Sequence, residues 1–416
     1  MSGLYVVYYS EIALKGKNRH EFVRALRRNM NRALSPLGDV SIDSRESRLF
    51  VSTSAEAGRA EEAISRVFGV AWFARASLVK ADYDSILAEV LKSEDVVRRA
   101  ESFKVSSRRS GKSFPLSSME LDRRLGAELA MRTRRPVNLD APGAEIRVDV
   151  LNDSAIVYSK KIQGAGGLPV GAGGRVMHLF SGGIDSPVAA WLLMKRGCKP
   201  IYVHFYLAPG PAQVLESKIP RLLKTLAAYC GRSTMVLVPF AEYQLATGTA
   251  ASESEPSLFR RFMRATAESL APHFGAQAVS TGDSLSQAAS QTLWNIGVFD
   301  EGSSLPVLRP LLAYDKEEII SLAKRLGTYE ASIEEYKDCC AIITRHPKTR
   351  VRRTLVNELA AGLGFPALVE RCIAASTLVS YDPAKDTLKS APFLVATRSP
   401  GGSSQSELLT TPRKSS

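Results

Sequence analysis

The sequence predicts an α/β protein whose C-terminal half is a doubly wound parallel sheet and whose N-terminal part consists of smaller β/α modules. Three observations lead there. Between Arg175 and Gly197 an apolar run, Val176 to Phe180, is cut by the turn Ser181-Gly182-Gly183, and helical periodicity follows from Ser186 to a glycine stop. On both sides of that point, short β-branched or aromatic runs alternate with helical stretches, the pattern of strands joined by crossover helices. A chain of 416 residues, 45% of them hydrophobic, can fill two or three cores.

The turn has specific physics. Gly182 and Gly183 remove the Cβ atoms that would hold a phosphate away from the backbone, and the helix that follows points unpaired N–H groups at the same place. Pro187 suits a first helical turn, and Gly197 suits the position past the last. Ser181 and Ser186 add hydroxyls. Asp185 puts a carboxylate beside the phosphates, where it is repelled unless it holds a cation such as Mg²⁺. No lysine follows the glycines, so this is not the GxxxxGK[ST] loop. A plain strand-to-helix turn is the competing reading.

Bulk properties narrow the class. No stretch approaches the roughly 20 apolar residues that span a bilayer, and no signal peptide opens the chain, so a cytoplasmic protein with no membrane partner is expected. Five irregularly spaced cysteines without a CxxC describe neither a disulfide framework nor a cysteine-built metal site. The net charge of +13 points to a polyanionic partner, nucleic acid first, although solvated basic helix faces would give the same figure.

In order, Leu4 to Tyr9 reads as a strand, and a basic helix runs from about Arg19 to Leu34 with Phe22, Leu26, Met30 and Leu34 on its core face. Strands at Arg48 to Ser52 and Val70 to Ala76, with helices at Glu56 to Val67 and Asp84 to Arg99, complete a split βαβ, ferredoxin-like pattern. From Phe103 to Phe114 the chain is basic and Ser-rich. Lys104, Arg108, Arg109 and Lys112 beside small hydroxyls and aromatics expected to be exposed suit a phosphate backbone with room for base stacking; a solvated loop is the alternative. A helix from Ser117 to Arg132 and strands near Glu145 to Val150 and Ala155 to Ser159 follow.

Beyond the glycine turn come a strand at Lys199 to Tyr206, a helix at Pro211 to Tyr229, a strand at Thr234 to Val238, a helix at Pro256 to Phe274 and a strand at Ala276 to Ser280. A parallel sheet of this kind binds ligands outside its C-terminal strand ends, which puts Ser181, His204 and Gly282 on one rim. His204-Phe205 could wall an adenine, or His204 could be a satisfied core histidine. Asp315 to Glu318 is a capping box, and Lys316 sits on the end of a helix that favours anions, so it is either kept for an anion or solvated. Cys339-Cys340 has Lys337, Arg345, His346 and Lys348 close in sequence, surroundings that favour a thiolate; Cys340 is the favoured functional residue, with Cys339 either partner or bystander. Cys198, Cys230 and Cys372 read as packing residues. Helices around Thr354 to Leu363 and Pro366 to Ala375 precede a strand-like Phe393 to Ala396 and a tail, 397–416, with little to bury.

The string Ser181-Gly182-Gly183-Ile184-Asp185-Ser186 resembles the PP-loop of ATP pyrophosphatases. The opening Glu11 to Asn18, the stretch Phe103 to Pro115, the linker Gly164 to Gly174 and the run from Thr281 to Gln291 are similar to those of the ThiI family of tRNA 4-thiouridine synthetases, with Ser10 and Ser286 where the family carries glycine. The resemblance implies a ferredoxin-like domain over 1–60, a THUMP RNA-binding domain over 61–164, a linker hinge over 165–174 and a PP-loop domain over 175–396. It implies ATP contacts from Leu179, Phe180, Ser181, Gly182, Gly183, Asp185, Ser186, His204, Phe205, Arg260, Gly282, Asp283 and Gln291, with Asp185 on Mg²⁺ and Lys316 on the pyrophosphate or adenylate. RNA contacts are expected from Lys15, Lys17, Lys104, Arg108, Arg109 and Lys112. The implied reaction adenylates uridine 8 of tRNA and replaces its O4 with sulfur, Cys340 either carrying the persulfide or attacking one to release sulfide. Because the chain stops before the rhodanese domain found in many members, the spent persulfide is expected to be resolved by Cys339 as a vicinal disulfide or by a reductant. Implied partners are tRNA, a cysteine desulfurase or other sulfur donor, a sulfur carrier protein for thiamine thiazole synthesis, and a second copy of the chain. Another PP-loop tRNA-modifying or adenylating enzyme, or a non-catalytic THUMP protein, are the rival readings.

Overall fold

A computed structural model describes residues 3–111, 114–207, 209–248, 254–336, 339 and 348–394. The first module runs β1 (Gly3–Tyr8), α1 (Arg19–Leu34), β2 (Val40–Arg45), β3 (Arg48–Thr53), α2 (Ala57–Ser65) and β4 (Trp72–Arg75). Its strands form an antiparallel sheet in the order β2-β3-β1-β4. Leu26, Met30 and Leu34, one helical turn apart on α1, are fully buried against Tyr5, Val7 and Phe73 of that sheet. The boundary expected at residue 60 falls inside α2; sheet pairing carries the module to Arg75. Strand β2 escapes the sequence reading because it is an edge strand with no fully buried residue, so its apolar alternation is weak.

The second module runs β5 (Ser77–Lys80), α3 (Tyr83–Leu91), α4 (Glu94–Arg98), β6 (Phe103–Arg109), α5 (Ser118–Thr133), β7 (Ala144–Val150) and β8 (Ser154–Tyr158), with sheet order β5-β8-β7-β6. The helix expected over Asp84 to Arg99 is broken between Lys92 and Ser93, which lets Val97 reach the core. A capping box between Ser117 and Glu120 starts α5. Phe103 and Phe114 are buried in this core, which corrects the expectation that they stand exposed for stacking.

The chain then returns to the first module through β9 (Ile162–Gln163), which pairs with β4. The linker is no free hinge. Gly166 N–H donates to Val70 O at 2.8 Å, Leu168 N–H to Lys195 O at 2.9 Å, and Gly171 N–H to Gly197 O at 2.7 Å, so its backbone is bound on both sides.

The third module runs β10 (Arg175–Leu179), α6 (Asp185–Lys195), β11 (Lys199–Tyr206), α7 (Pro211–Leu215), α8 (Ile219–Cys230), β12 (Ser233–Pro239), α9 (Ala241–Thr247), α10 (Glu255–Phe274), β13 (Ala278–Ser280), α11 (Leu293–Asp300), β14 (Val307–Leu308), α12 (Lys316–Leu326), α13 (Tyr329–Ile333), α14 (Arg353–Gly362), α15 (Phe365–Ala374), β15 (Thr377–Asp382) and β16 (Thr387–Pro392). The sheet order is β14-β13-β10-β11-β12-β15-β16. Its first five strands are parallel, and the β15–β16 hairpin is antiparallel on one edge. The strand expected at Phe393 to Ala396 is therefore corrected: the hairpin ends at Pro392, Phe393 stacks its ring on Phe274, and residues 395 and 396 lie outside the described residues. One core lies between the sheet and α10 and α15, the other between the sheet and α6, α8 and α12. From β10 the chain winds through β11 to β12, then crosses to β13 on the other side of β10; the order reverses there, and α/β sheets of this kind open a ligand crevice at such a point.

Candidate active site

The glycine turn closes on itself. Ser181 N–H donates to Ser186 Oγ at 3.0 Å, Ser186 Oγ–H donates to Ser181 O at 2.8 Å, and Gly183 N–H donates to Ser181 Oγ at 3.3 Å. A Cβ on Gly182 would stand 2.8 Å from Lys218 Cε and 3.3 Å from Tyr336 Cδ1, so a side chain here would have to displace what packs beneath it. A Cβ on Gly282 would stand 2.9 Å from Ser186 N and 3.1 Å from Asp185 C, both backbone atoms. The loop after β13 is thus pressed against the first turn of α6. Behind the turn, His178 is fully buried; its Nε2–H donates to Ser186 O at 2.9 Å and its Nδ1 meets Ser280 Oγ at 2.8 Å. Burial lowers its pKa to about 4 and keeps the ring neutral. Sequence reasoning missed His178, because one histidine in an apolar strand carries no motif.

A cavity of about 400 Å³ opens at the rim. Leu179, Phe180, Ser181, Asp185 and Ser186 line it from the turn, and Phe205 from the end of β11. Arg260 comes from α10, Gly282, Asp283 and Gln291 from the loop after β13, and Cys339 from beyond α13. Phe259, Met263 and Phe299 add apolar wall that the sequence reading did not name. Gly183 lies at the turn, where a Cβ would meet Ser181 Oγ at 3.5 Å. His204 is placed differently from the expectation. Alternation along β11 turns Val203 and Phe205 to the cavity and His204 to the other face, where it is buried with Nδ1–H donating to Phe180 O at 2.8 Å and Nε2 meeting Tyr336 Oη at 2.8 Å.

The charges are paired tightly. Lys316 Nζ lies 2.7 Å from Asp185 Oδ1, and Gln287 Nε2 donates to Asp185 Oδ2 at 2.9 Å. Lys316 is the first residue of α12, whose capping box of Asp315 and Glu318 is present as expected. Asp283 is 4% exposed and takes Arg260 on one oxygen and Arg309 Nε, at 3.2 Å, on the other. Burial pushes its carboxyl up, but the two guanidiniums outweigh this and hold it below the usual carboxylate range. Arg309 is gripped in turn by Asp300 at 2.6 and 2.8 Å. The Phe299 ring lies 5.3 Å from the guanidinium of Arg260 and 5.2 Å from that of Arg309. Among the described residues, Arg260 Nε and Gln291 Oε1, both buried, have no hydrogen-bond partner, as expected of groups kept for a polar ligand.

Among the described residues no cluster of three or more His, Cys, Asp or Glu could hold a metal. Asp185 alone beside a phosphate-binding turn still suits Mg²⁺, which usually takes one or two carboxylates and fills its shell with phosphate oxygens and water. Cys339 is 1% exposed at the cavity wall. Cys340 lies outside the described residues, as do Lys337, Asp338, Arg345 and His346. Burial raises the Cys198 thiol and lifts that of Cys372 to about 12, as fits packing residues.

Of the residues expected on RNA, Lys17 and Arg108 are exposed. Lys15 is half-buried, its ammonium 5.3 Å from the Phe22 ring centre, and Lys104 reaches Leu139 O at 3.3 Å. Arg109 is occupied by structure: its guanidinium donates to Phe114 O at 3.1 Å and Leu116 O at 2.8 Å, clamping the loop after β6. Lys112 lies outside the described residues. Lys17 also borders a surface groove with Arg19, Arg24 and Arg27 of α1.

Comparison with known proteins agrees with this architecture. The family model for the ThiI ferredoxin-like domain matches residues 4–74, the THUMP domain model matches 80–160, and the model described as thiamine biosynthesis protein (ThiI) matches 171–365. A crystal structure of a 4-thiouridine synthetase–RNA complex with bound ATP aligns with a TM-score of 0.83 and 30% identity, over 91% of this chain and 100% of that one. PH1313 from Pyrococcus horikoshii Ot3 aligns with a TM-score of 0.61 and 26% identity, over 78% of this chain and 99% of that one. With its three modules matched in order and its length paired to the whole of a synthetase, the chain belongs to the ThiI family.

Proposed function

We propose that the protein is an ATP-dependent tRNA sulfurtransferase that converts a uridine to 4-thiouridine. One observation carries the reading: the glycine turn, the cation Arg260 and Cys339 border one cavity, with Lys316 paired to Asp185 of its wall, in a chain that also holds an RNA-binding module. ATP is a substrate. Its phosphates would lie on the turn and the N–H groups of α6, where the helix dipole also favours negative charge. The uracil O4 attacks the α phosphorus, the bond to the β phosphate breaks, and pyrophosphate leaves.

The contribution of the chain to that step is electrostatic. Backbone N–H groups, Arg260 and Lys316 face charge that builds on the departing phosphates, and the Asp283 clamp fixes Arg260 beforehand so that little reorganisation is needed. Bound at Asp185, Mg²⁺ would add charge neutralisation at the same oxygens. Lys316 now pairs with that carboxylate and can turn to the phosphates when they arrive.

In the second half a sulfur nucleophile attacks C4 and AMP departs. Cys340 carries sulfur as a persulfide. Once its outer sulfur has bonded to C4, attack by the Cys339 thiolate on the Cys340 inner sulfur leaves the outer sulfur on the base and forms a Cys339–Cys340 disulfide, which an external dithiol reduces. A cysteine desulfurase supplies the persulfide, and a carrier protein would draw on the same cysteine in the thiamine-biosynthesis role that the family description names. We assign this work to the cytoplasm, where the tRNA substrate is met. Among the described residues no helix is long and apolar enough to cross a membrane.

The test is the 4-thiouridine content of tRNA after incubation with ATP, Mg²⁺ and sulfide. Sulfide should restore product to Cys340→Ala and not to Asp185→Ala. If the wild-type chain releases no pyrophosphate from ATP when tRNA is present, the reading is wrong.

A further inference from the structure

The helix that the sequence predicts over 211–229 is broken between Leu215 and Ile219, and the break turns Lys218 inward. Lys218 is 7% exposed, and its Nζ donates to Ser332 O at 2.8 Å and to Glu334 O at 2.7 Å. Its Cε lies directly under Gly182, and its Nζ stands 5.8 Å from the centre of the Tyr336 ring. Tyr336 Oη meets His204 Nε2 at 2.8 Å, and His204 Nδ1–H donates to the carbonyl of Phe180, the residue that enters the glycine turn. Two ties therefore run from the phosphate turn to residues 332–336. Three residues later, Cys339 is at the wall of the cavity that the turn borders.

We infer that Lys218 and Tyr336 are positioning residues for sulfur delivery, locking residues 332–336 to the underside of the phosphate turn so that the chain reaches the cavity at a fixed place. The inference rests on the sulfurtransferase reading and adds a division of labour to it. Sulfur held by the protein must come within bonding reach of the activated carbon, and a displacement of about 1 Å can cost about a hundredfold in rate. Hydrosulfide from solution arrives without a tether. The ties therefore matter for protein-borne sulfur and not for free sulfide.

The experiment measures 4-thiouridine formation by the full chain with tRNA, ATP and Mg²⁺ under two sulfur supplies: a cysteine desulfurase with cysteine, and inorganic sulfide. Tyr336→Phe keeps the ring and removes the hydroxyl that His204 meets. Its desulfurase-driven turnover should fall at least about tenfold, while sulfide-driven turnover stays within about twofold of wild type. Lys218→Met should shift the same ratio in the same direction. A parallel loss under both supplies, or no loss under either, overturns the inference, because a merely structural role would not separate them. Absence of product from the wild-type chain with sulfide would instead overturn the sulfurtransferase reading, and the inference with it.

Discussion

Gly282 shows how much one residue can decide at this site. Its backbone lies where any Cβ would press on Ser186 N and Asp185 C, and neither atom can move without shifting the first turn of α6. Gly282→Ala should therefore raise the KM for ATP about tenfold or more, since the N–H groups that face the phosphates shift together; ATP-dependent pyrophosphate release with tRNA would measure it. An unchanged KM would mean that the phosphates lie elsewhere. Ser286, five residues before Gln291, stands at φ +62°, a left-handed conformation that glycine adopts without strain, which accounts physically for the family's glycine there. Asp283 was legible as a residue of the rim. Its commitment to Arg260 and Arg309 was not, because Arg309 is distant in sequence and the ring between them, Phe299, belongs to another helix.

At the scale of elements, β10, the turn and α6 form the unit that the sequence announces most clearly, and His178 holds that unit together from behind. Its folded pKa of about 4 lies below the ordinary value of 6.5, so between those limits the unfolded chain binds the extra proton. Stability from this group is thus fully present above about pH 6.5 and is lost as pH falls toward 4, to a total of about 3 kcal/mol. Urea midpoints recorded from pH 7 to pH 4 should fall, and His178→Gln should flatten the part of the slope that this histidine supplies. Elements with two-sided burial, such as β11 and β12, were readable as apolar runs. The edge strands β2 and β16 were not, since β16 leaves four of its six residues exposed and shows little apolar alternation. The break in the helix predicted at 84–99 was also hidden, because no proline or glycine marks it, whereas Pro220, second residue of α8, does mark the break in 211–229 and was passed over.

Across the whole molecule, the modules are joined firmly. Arg196 pairs with both oxygens of Glu11 at 3.0 Å, Asn29 donates to Val170 O at 3.0 Å, and Phe68 packs on Trp191 with ring centres 5.4 Å apart. Charge is the other property at this scale, and the net +13 should appear as salt dependence of RNA binding. Each phosphate contact contributes a slope of about 0.7 to 0.9 in log K against log salt. Arg108→Ala and Lys17→Ala, both on exposed side chains, should each lower the slope by about that much. Arg109→Ala should instead destabilise the second module, since its guanidinium closes the loop after β6. A salt response that is flat in the wild-type chain would exclude the basic modules as the RNA grip.

By itself the sequence determined the class of fold, the place of the phosphate turn, the order of the modules and the chemistry of the groups available, because these follow from local periodicity, glycine placement and short motifs. Only the tertiary structure decided which face of β11 meets the cavity at the rim, which arginines share Asp283, and that Lys218 and Tyr336 lie beneath Gly182. The physical reason is range: backbone preference acts over a few residues, whereas ion pairing and close packing are settled between side chains that the chain brings together from tens of positions apart, as with Asp283 and its arginines, to more than a hundred, as with Gly182 and Tyr336.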